Sequence, residues 1–136
     1  MPGESSTRRL VRFAISFAVL AFAQSIWAGP QEDWAAVMAA SNRGDYATVT
    51  RLLQSLAEAG DADAQYDLAV LYQIGEDLPQ DYVQAHKWYS IAAARFTPEE
   101  QSMRERALKN RGRIALQMTA AQIAEAQKLA REWKPR

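Results

Sequence analysis

Residues 60–94 read GDADAQYDLAVLYQIGEDLPQDYVQAHKWYSIAAA, and this stretch decides the fold. Asp61 is placed to cap a helix, because its carboxylate can accept from the free amides of the first turn. Ala64, Leu68, Leu71 and Tyr72 then fall on one helical face. Gly75 is a stop signal, and Pro79 keeps the Glu76–Gln80 loop out of any helix interior. Asp81 and Gln84 have capping-box spacing for a second helix. Behind them Ala85, Trp88, Tyr89 and Ala92 follow at i, i+3, i+4 and i+7, up to about Ala94. Two helices joined by so short a loop must fold back on each other.

The stretch echoes what precedes it. Asp45-Tyr46 recurs 36 residues later as Asp81-Tyr82, and Val49, Leu52, Leu53 and Leu56 occupy the offsets of Ala85, Trp88, Tyr89 and Ala92. Ala57 and Ala93 share the same offset. A helical repeat of this length means stacked helix pairs. Asp45 caps a helix reaching Ala59, with Gly60 as its stop. Upstream, Gln31–Ser41 reads as a helix with Trp34, Val37 and Met38 on one face, broken by Asn42-Arg43-Gly44.

Downstream, Thr97-Pro98-Glu99-Glu100 is a helix start: a cap, proline at the first position, then acids. That helix runs towards Gln117 with Met103, Ala107, Ile114 and Met118 on its apolar face and Arg104 and Arg111 close by. Glu100 is spaced to pair with Arg104, and Asn110 and Gly112 are candidate break points. Thr119 and Gln122 form another capping-box pattern. Ile123, Ala126, Ala130 and Trp133 line the last helix, which ends near Lys134-Pro135. With no strand-like alternation, the expected fold is all-α: a short α/α solenoid of about six antiparallel helices.

The segment from Gly60 to Ala93 resembles a Sel-1-like repeat, a family related in architecture to tetratricopeptide repeats. The resemblance rests on Ala62-Asp63-Ala64-Gln65, Leu68, Tyr72, Gly75, Pro79-Gln80-Asp81-Tyr82, Ala85, Trp88-Tyr89 and Ala92-Ala93. Ala69 and Asp77 depart from it, each standing where the family favours glycine. Residues 43–59 resemble an entry half-repeat, and Met118–Ala130 the closing helix of bacterial secreted members. The resemblance implies a superhelix of helix pairs that binds a protein or peptide. It assigns packing roles to Ala64, Leu68, Tyr72, Gly75, Ala85, Trp88, Tyr89 and Ala92.

The N-terminus sets the expected compartment. Arg8, Arg9 and Arg12 precede an uncharged run from Phe13 to Ala23, then Gln24 to Gly29. This is the layout of a secretory signal peptide, with cleavage expected between Ala28 and Gly29. The apolar run is shorter than the roughly 20 residues a spanning helix needs. The arginine pair allows twin-arginine export, but the general secretory route is the simpler reading. Residues 1–28 are therefore expected to be removed. Residues 29–136 remain as one domain: an entry half-repeat (29–59), a full repeat (60–94) and capping helices (95–136). The product is expected to be periplasmic or secreted, with no transmembrane helix after processing.

Composition narrows the chemistry. The 136 residues include no cysteine, which excludes disulfides, thiolate catalysis and zinc-cysteine sites. His86 is the single histidine, and no serine sits in a nucleophile-elbow context. It reads as a packing or surface residue. Asp61, Asp63 and Asp67 lack the glycine turn and distal glutamate of a calcium loop and suit a helix start. No catalytic residue, cofactor or metal is expected. Net charge is zero, yet residues 29–94 carry ten acids against three bases and residues 95–136 ten bases against five acids.

The leading reading is a secreted or periplasmic adaptor for protein–protein interaction. The basic C-terminal third offers an alternative, contact with anionic lipid or peptidoglycan, although membrane contact is not the expected role and export argues against nucleic acid. The resemblance also carries a weaker implication, β-lactam binding or hydrolysis, through cysteine-rich relatives whose cysteines this chain lacks.

Overall fold

The computed structural model describes residues 30–136. Six α-helices occur among them: α1 (Pro30–Asn42), α2 (Tyr46–Ala59), α3 (Ala62–Ile74), α4 (Tyr82–Arg95), α5 (Gln101–Ala115) and α6 (Ala120–Glu132). A single 3-10 turn, Pro98–Glu100, leads into α5. No strand is present among these residues, so the all-α expectation holds. The signal segment and the Ala28–Gly29 junction lie outside the described residues. Residues 33–136 form one compact unit.

The local signals explain the boundaries. Asp45, Asp61 and Asp81 each accept from the backbone amide three residues on, at 3.2, 2.9 and 3.1 Å. Each quenches an orphan donor of the first turn. Gln84 does not return the bond to Asp81, so the expected capping box is only half made. The reciprocal box does form at Thr97–Glu100 and at Thr119–Gln122. Glu100 therefore bonds the Thr97 amide at 2.8 Å rather than pairing with Arg104. α5 runs through Asn110 and Gly112 without a break and stops at Ala115, two residues short of the expected Gln117. Gly112 has open space around it, and Asn110 is held by a hydrogen bond to Tyr66.

Packing runs in a chain. α2 packs on α3, α3 on α4, and α4 on both α5 and α6. α4 is the hub, with Ala85, Trp88, Tyr89, Ile91, Ala92 and Ala93 all buried. Alanines at the crossings (Ala57, Ala64, Ala69, Ala85, Ala92, Ala107) are fully covered, which lets helix axes approach closely. Leu53 and Leu56 enter the same core, while Val49 and Leu52 are half-buried at its edge. Of the residues given packing roles, Ala64, Leu68, Ala85, Trp88, Tyr89 and Ala92 are buried and Tyr72 is half-buried.

Some side chains depart from the expected faces. Met38 is 60% exposed, because α1 turns Val37 and Ala40 inward instead. Leu71, like Tyr72, is only half-buried, while Gln65 is fully buried. Gln65 faces α2 and donates through Nε2 to the Ala57 carbonyl at 3.0 Å.

The C-terminal segment closes on the α2–α3 corner and on α4. Trp133 lies just past α6, and its ring meets Trp88 edge-on at 5.9 Å. Its indole N–H donates to Glu58 at 3.4 Å. The Arg136 amide donates to the Glu58 carbonyl at 2.9 Å, and its guanidinium lies 3.8 Å from the Glu58 carboxylate. Arg95 donates to the Gly60 carbonyl at 2.7 Å and stacks its guanidinium over Trp133 at 5.5 Å. This strap ties the α2–α3 corner to the C-terminus.

Candidate functional site

α3 presents two different edges. One enters the core; the other carries Asp61, Asp63 and Asp67. Helical geometry puts Asp63 and Asp67, four apart, on one face. Burial, then the Asp61 charge, then that of Glu100 on the 3-10 turn lift the Asp63 carboxyl above its ordinary value. Asp67 is pushed up to about 6, first by burial, then by the negative charges of Asp63 and Asp61. Among the described residues, no arginine or lysine stands within ion-pair distance of either carboxylate. The edge is thus a set of like charges held together without compensation.

A polar network backs this edge and joins three helices. Tyr89 is fully buried, and its hydroxyl donates to Gln73 Oε1 at 2.6 Å. Asn110 from α5 donates through Nδ2 to the Tyr66 hydroxyl at 3.1 Å and reaches the Tyr89 hydroxyl at 3.5 Å. The two tyrosine rings meet edge-to-face at 5.6 Å. Burial drives the Tyr89 phenol up to about 12, so it stays a neutral donor. A satisfied network of this kind fixes the relative register of its helices. It holds the carboxylates of α3 on a rigid backing.

Asp61 has a different task. One carboxylate oxygen caps α3, and the other accepts from the Trp34 indole N–H at 3.0 Å. Trp34, eligible from sequence as a ligand-facing aromatic, is therefore an anchor between α1 and α3. Tyr46, the other eligible aromatic, remains 54% exposed. His86 is buried within α4, and its Nδ1 meets no protein hydrogen-bond partner. Burial, then the positive charge of Arg111, pushes its imidazole below the usual range. The shift favours the neutral ring. Among the described residues no group of three or more His, Cys, Asp or Glu side chains has the geometry to hold a metal ion. None of their helices is long and apolar enough to cross a membrane.

The uncompensated acids have a measurable cost. The Asp67 carboxyl titrates at about 6 in the fold against 3.8 ordinarily. The folded state therefore binds this proton more tightly, and Asp67's contribution to stability grows as pH falls from about 6 towards 3.8. Asp67→Asn removes the penalty. It is expected to stabilise the protein by about 1 kcal/mol at pH 7, a figure reduced for the side chain's partial exposure. The gain should vanish below about pH 4, where wild-type Asp67 is protonated in both states. Urea unfolding of both proteins at the two pH values reads this directly, since His86 is common to both and cancels.

Residues Glu58, Arg95, Trp133 and Arg136 gave no sign in the sequence that they would meet. Trp133 and Glu58 are 75 positions apart, and no local pattern encodes such a contact.

Residues 62–95 match the family model of the Sel1 repeat. The matched segment is α3, the loop after it, and α4. No curated protein and no solved structure matches the chain. Sel1 repeats generally mediate protein–protein interaction, and proteins built from them are typically helical scaffolds rather than enzymes.

Proposed function

We propose that this Sel1-repeat chain is an exported adaptor, secreted or periplasmic, that holds a basic segment of a partner protein along the acidic edge of α3. One observation carries the reading. Asp63 and Asp67 are held near Asp61 with no cation to offset them, and Asp67 is lifted to about 6, first by burial and then by the Asp63 and Asp61 charges. A lysine or arginine from a partner supplies the missing charge and relieves a strain already built into the fold. The tyrosine–asparagine network behind the edge keeps it rigid, so little ordering cost falls on the adaptor when the partner arrives. Export is supported by the signal-like segment at residues 1–28. The adaptor needs no catalytic group, cofactor or metal for this task.

The test is in-cell cross-linking in the envelope with wild type and an Asp63→Asn/Asp67→Asn double variant. The variant folds at least as well as wild type, because it loses a repulsion. A partner captured by wild type and lost from the variant supports the reading. Equal capture by both proteins, or no capture by either, overturns it. Sedimentation with anionic vesicles in the same strains tests the membrane-surface alternative. An interaction carried by the basic C-terminal third would weaken with salt and ignore the two aspartates.

A further inference from the structure

A second site, of reversed chemistry, involves α4 and the C-terminal end of the chain. Between α4 and the strap after α6 lies a cleft of about 310 Å³. Its apolar surface comes from Ile91, Ala94, Ala130 and the Trp133 ring, and its polar edge from Ser90, Arg95 and Arg131. We propose that this cleft binds the free C-terminus of a peptide whose last residue is apolar.

The polar edge offers donors and positive charge. Arg95 spends its Nε on the Gly60 carbonyl at 2.7 Å, which fixes the guanidinium and leaves its other N–H groups available. Stacking over Trp133 at 5.5 Å holds the same group in place from the other direction. Arg111 donates to Ser90 Oγ at 3.1 Å, so the Ser90 hydroxyl keeps its own proton to give. Among the described residues no carboxylate lies within ion-pair distance of Arg95, Arg111 or Arg131. Glu58, at the far edge of Trp133, is engaged by the indole N–H and by Arg136. Two guanidiniums, Arg95 and Arg131, line the cleft with no acid among its lining residues, which favours an anion, and a planar guanidinium fits a carboxylate.

The floor decides which anion. A small hydrated ion gains nothing from Ile91, Ala130 and an indole face. An apolar side chain joined to the carboxylate gains their burial. The volume lies at the small end of ligand cavities, which run about 300–1,000 Å³. It suits one side chain with its terminal carboxylate and leaves most of a long acyl chain in water. The strap that builds the site also positions it: without Trp133 the cleft loses a wall, and Arg95 loses its stacking partner. This site is independent of the acidic edge of α3.

The experiment is isothermal titration of the full chain with acetylated Gly-Ala-Leu, as the free acid and as the C-terminal amide, at two salt concentrations. The acid is expected to bind, more weakly as salt rises, and the amide about tenfold less tightly. Arg131→Gln touches no other contact described for the fold and should weaken the acid by about the same factor, leaving the thermal midpoint unchanged. The Asp63→Asn/Asp67→Asn variant should bind the acid as wild type does, which separates this proposal from the acidic-edge reading. Equal binding of acid and amide, or no binding of either, overturns it. Displacement of the peptide by decanoate at lower concentration than the peptide itself also overturns it, in favour of a lipid acid.

Discussion

Replacing Trp88 with alanine is expected to destabilise the protein by about 3–5 kcal/mol, the range for deleting a large buried aromatic. Trp88 is 2% exposed on the hub helix α4. Its ring meets Trp133 at 5.9 Å, and the Lys87 ammonium lies 4.3 Å from its centroid. The substitution therefore opens a cavity and also removes the surface on which the C-terminal strap closes. Domains of this size are stable by about 5–15 kcal/mol in all, so the loss is a large fraction of the total. Chemical unfolding followed by circular dichroism measures it. Trp133→Ala should cost less, because Trp133 is only half-buried, and the double variant should show a coupling of about 0.5–1.5 kcal/mol. A Trp88→Ala protein within about 1 kcal/mol of wild type would show that the strap and the repeat core are not one cooperative unit.

The second large effect is expected at Gly75. Its φ is +78°, and a Cβ built there would lie 2.7 Å from Gln80 Cβ and 2.9 Å from the Gln80 backbone nitrogen. The left-handed conformation costs an alanine about 1–2 kcal/mol, and the second contact is with backbone that cannot turn aside. The loop is pinned on that side, because the Asp81 amide donates to the Tyr72 carbonyl at 2.9 Å and the Gln80 side chain to the Gln73 carbonyl at 3.0 Å. Gly75→Ala should therefore destabilise by more than about 2 kcal/mol. Gly44 is the internal control. Its φ is +71°, yet a Cβ there meets nothing within 4 Å, so Gly44→Ala should show only the conformational cost. Equal losses at the two sites, read from urea midpoints, would locate the whole effect in backbone conformation.

The helices were legible because their signals are local. An aspartate three residues ahead of a free amide caps a helix wherever that helix packs, and Asp45, Asp61 and Asp81 all do so. The buried face of α4 could be read for a similar reason, since Ala85, Trp88, Tyr89 and Ala92 recur at the helical period. Met38 misled because Val37 and Ala40 took the inward positions on α1. Gln84 and Glu100 show the limit of motif spacing. The spacing permits a bond, but which of several partners a flexible side chain takes is settled by what surrounds it.

The candidate sites divide in the same way. Asp61, Asp63 and Asp67 could be seen at the start of α3, and the sequence offered helix capping as their explanation. Only the fold showed that Asp61 does the capping while Asp67 is driven up by burial and by its neighbours. The cleft at Arg95 had no sequence signal at all.

The sequence by itself determined that the chain is helical, where the helices begin, and that its centre resembles a Sel1 repeat, because capping and periodicity act over one or two turns. The tertiary structure alone decided that Trp133 and Arg136 close on Glu58, that Asn110 joins Tyr66 and Tyr89, and which charges stand uncompensated. Those contacts join residues up to 75 positions apart. Their energies depend on burial and mutual distance, neither of which exists until the helices have packed.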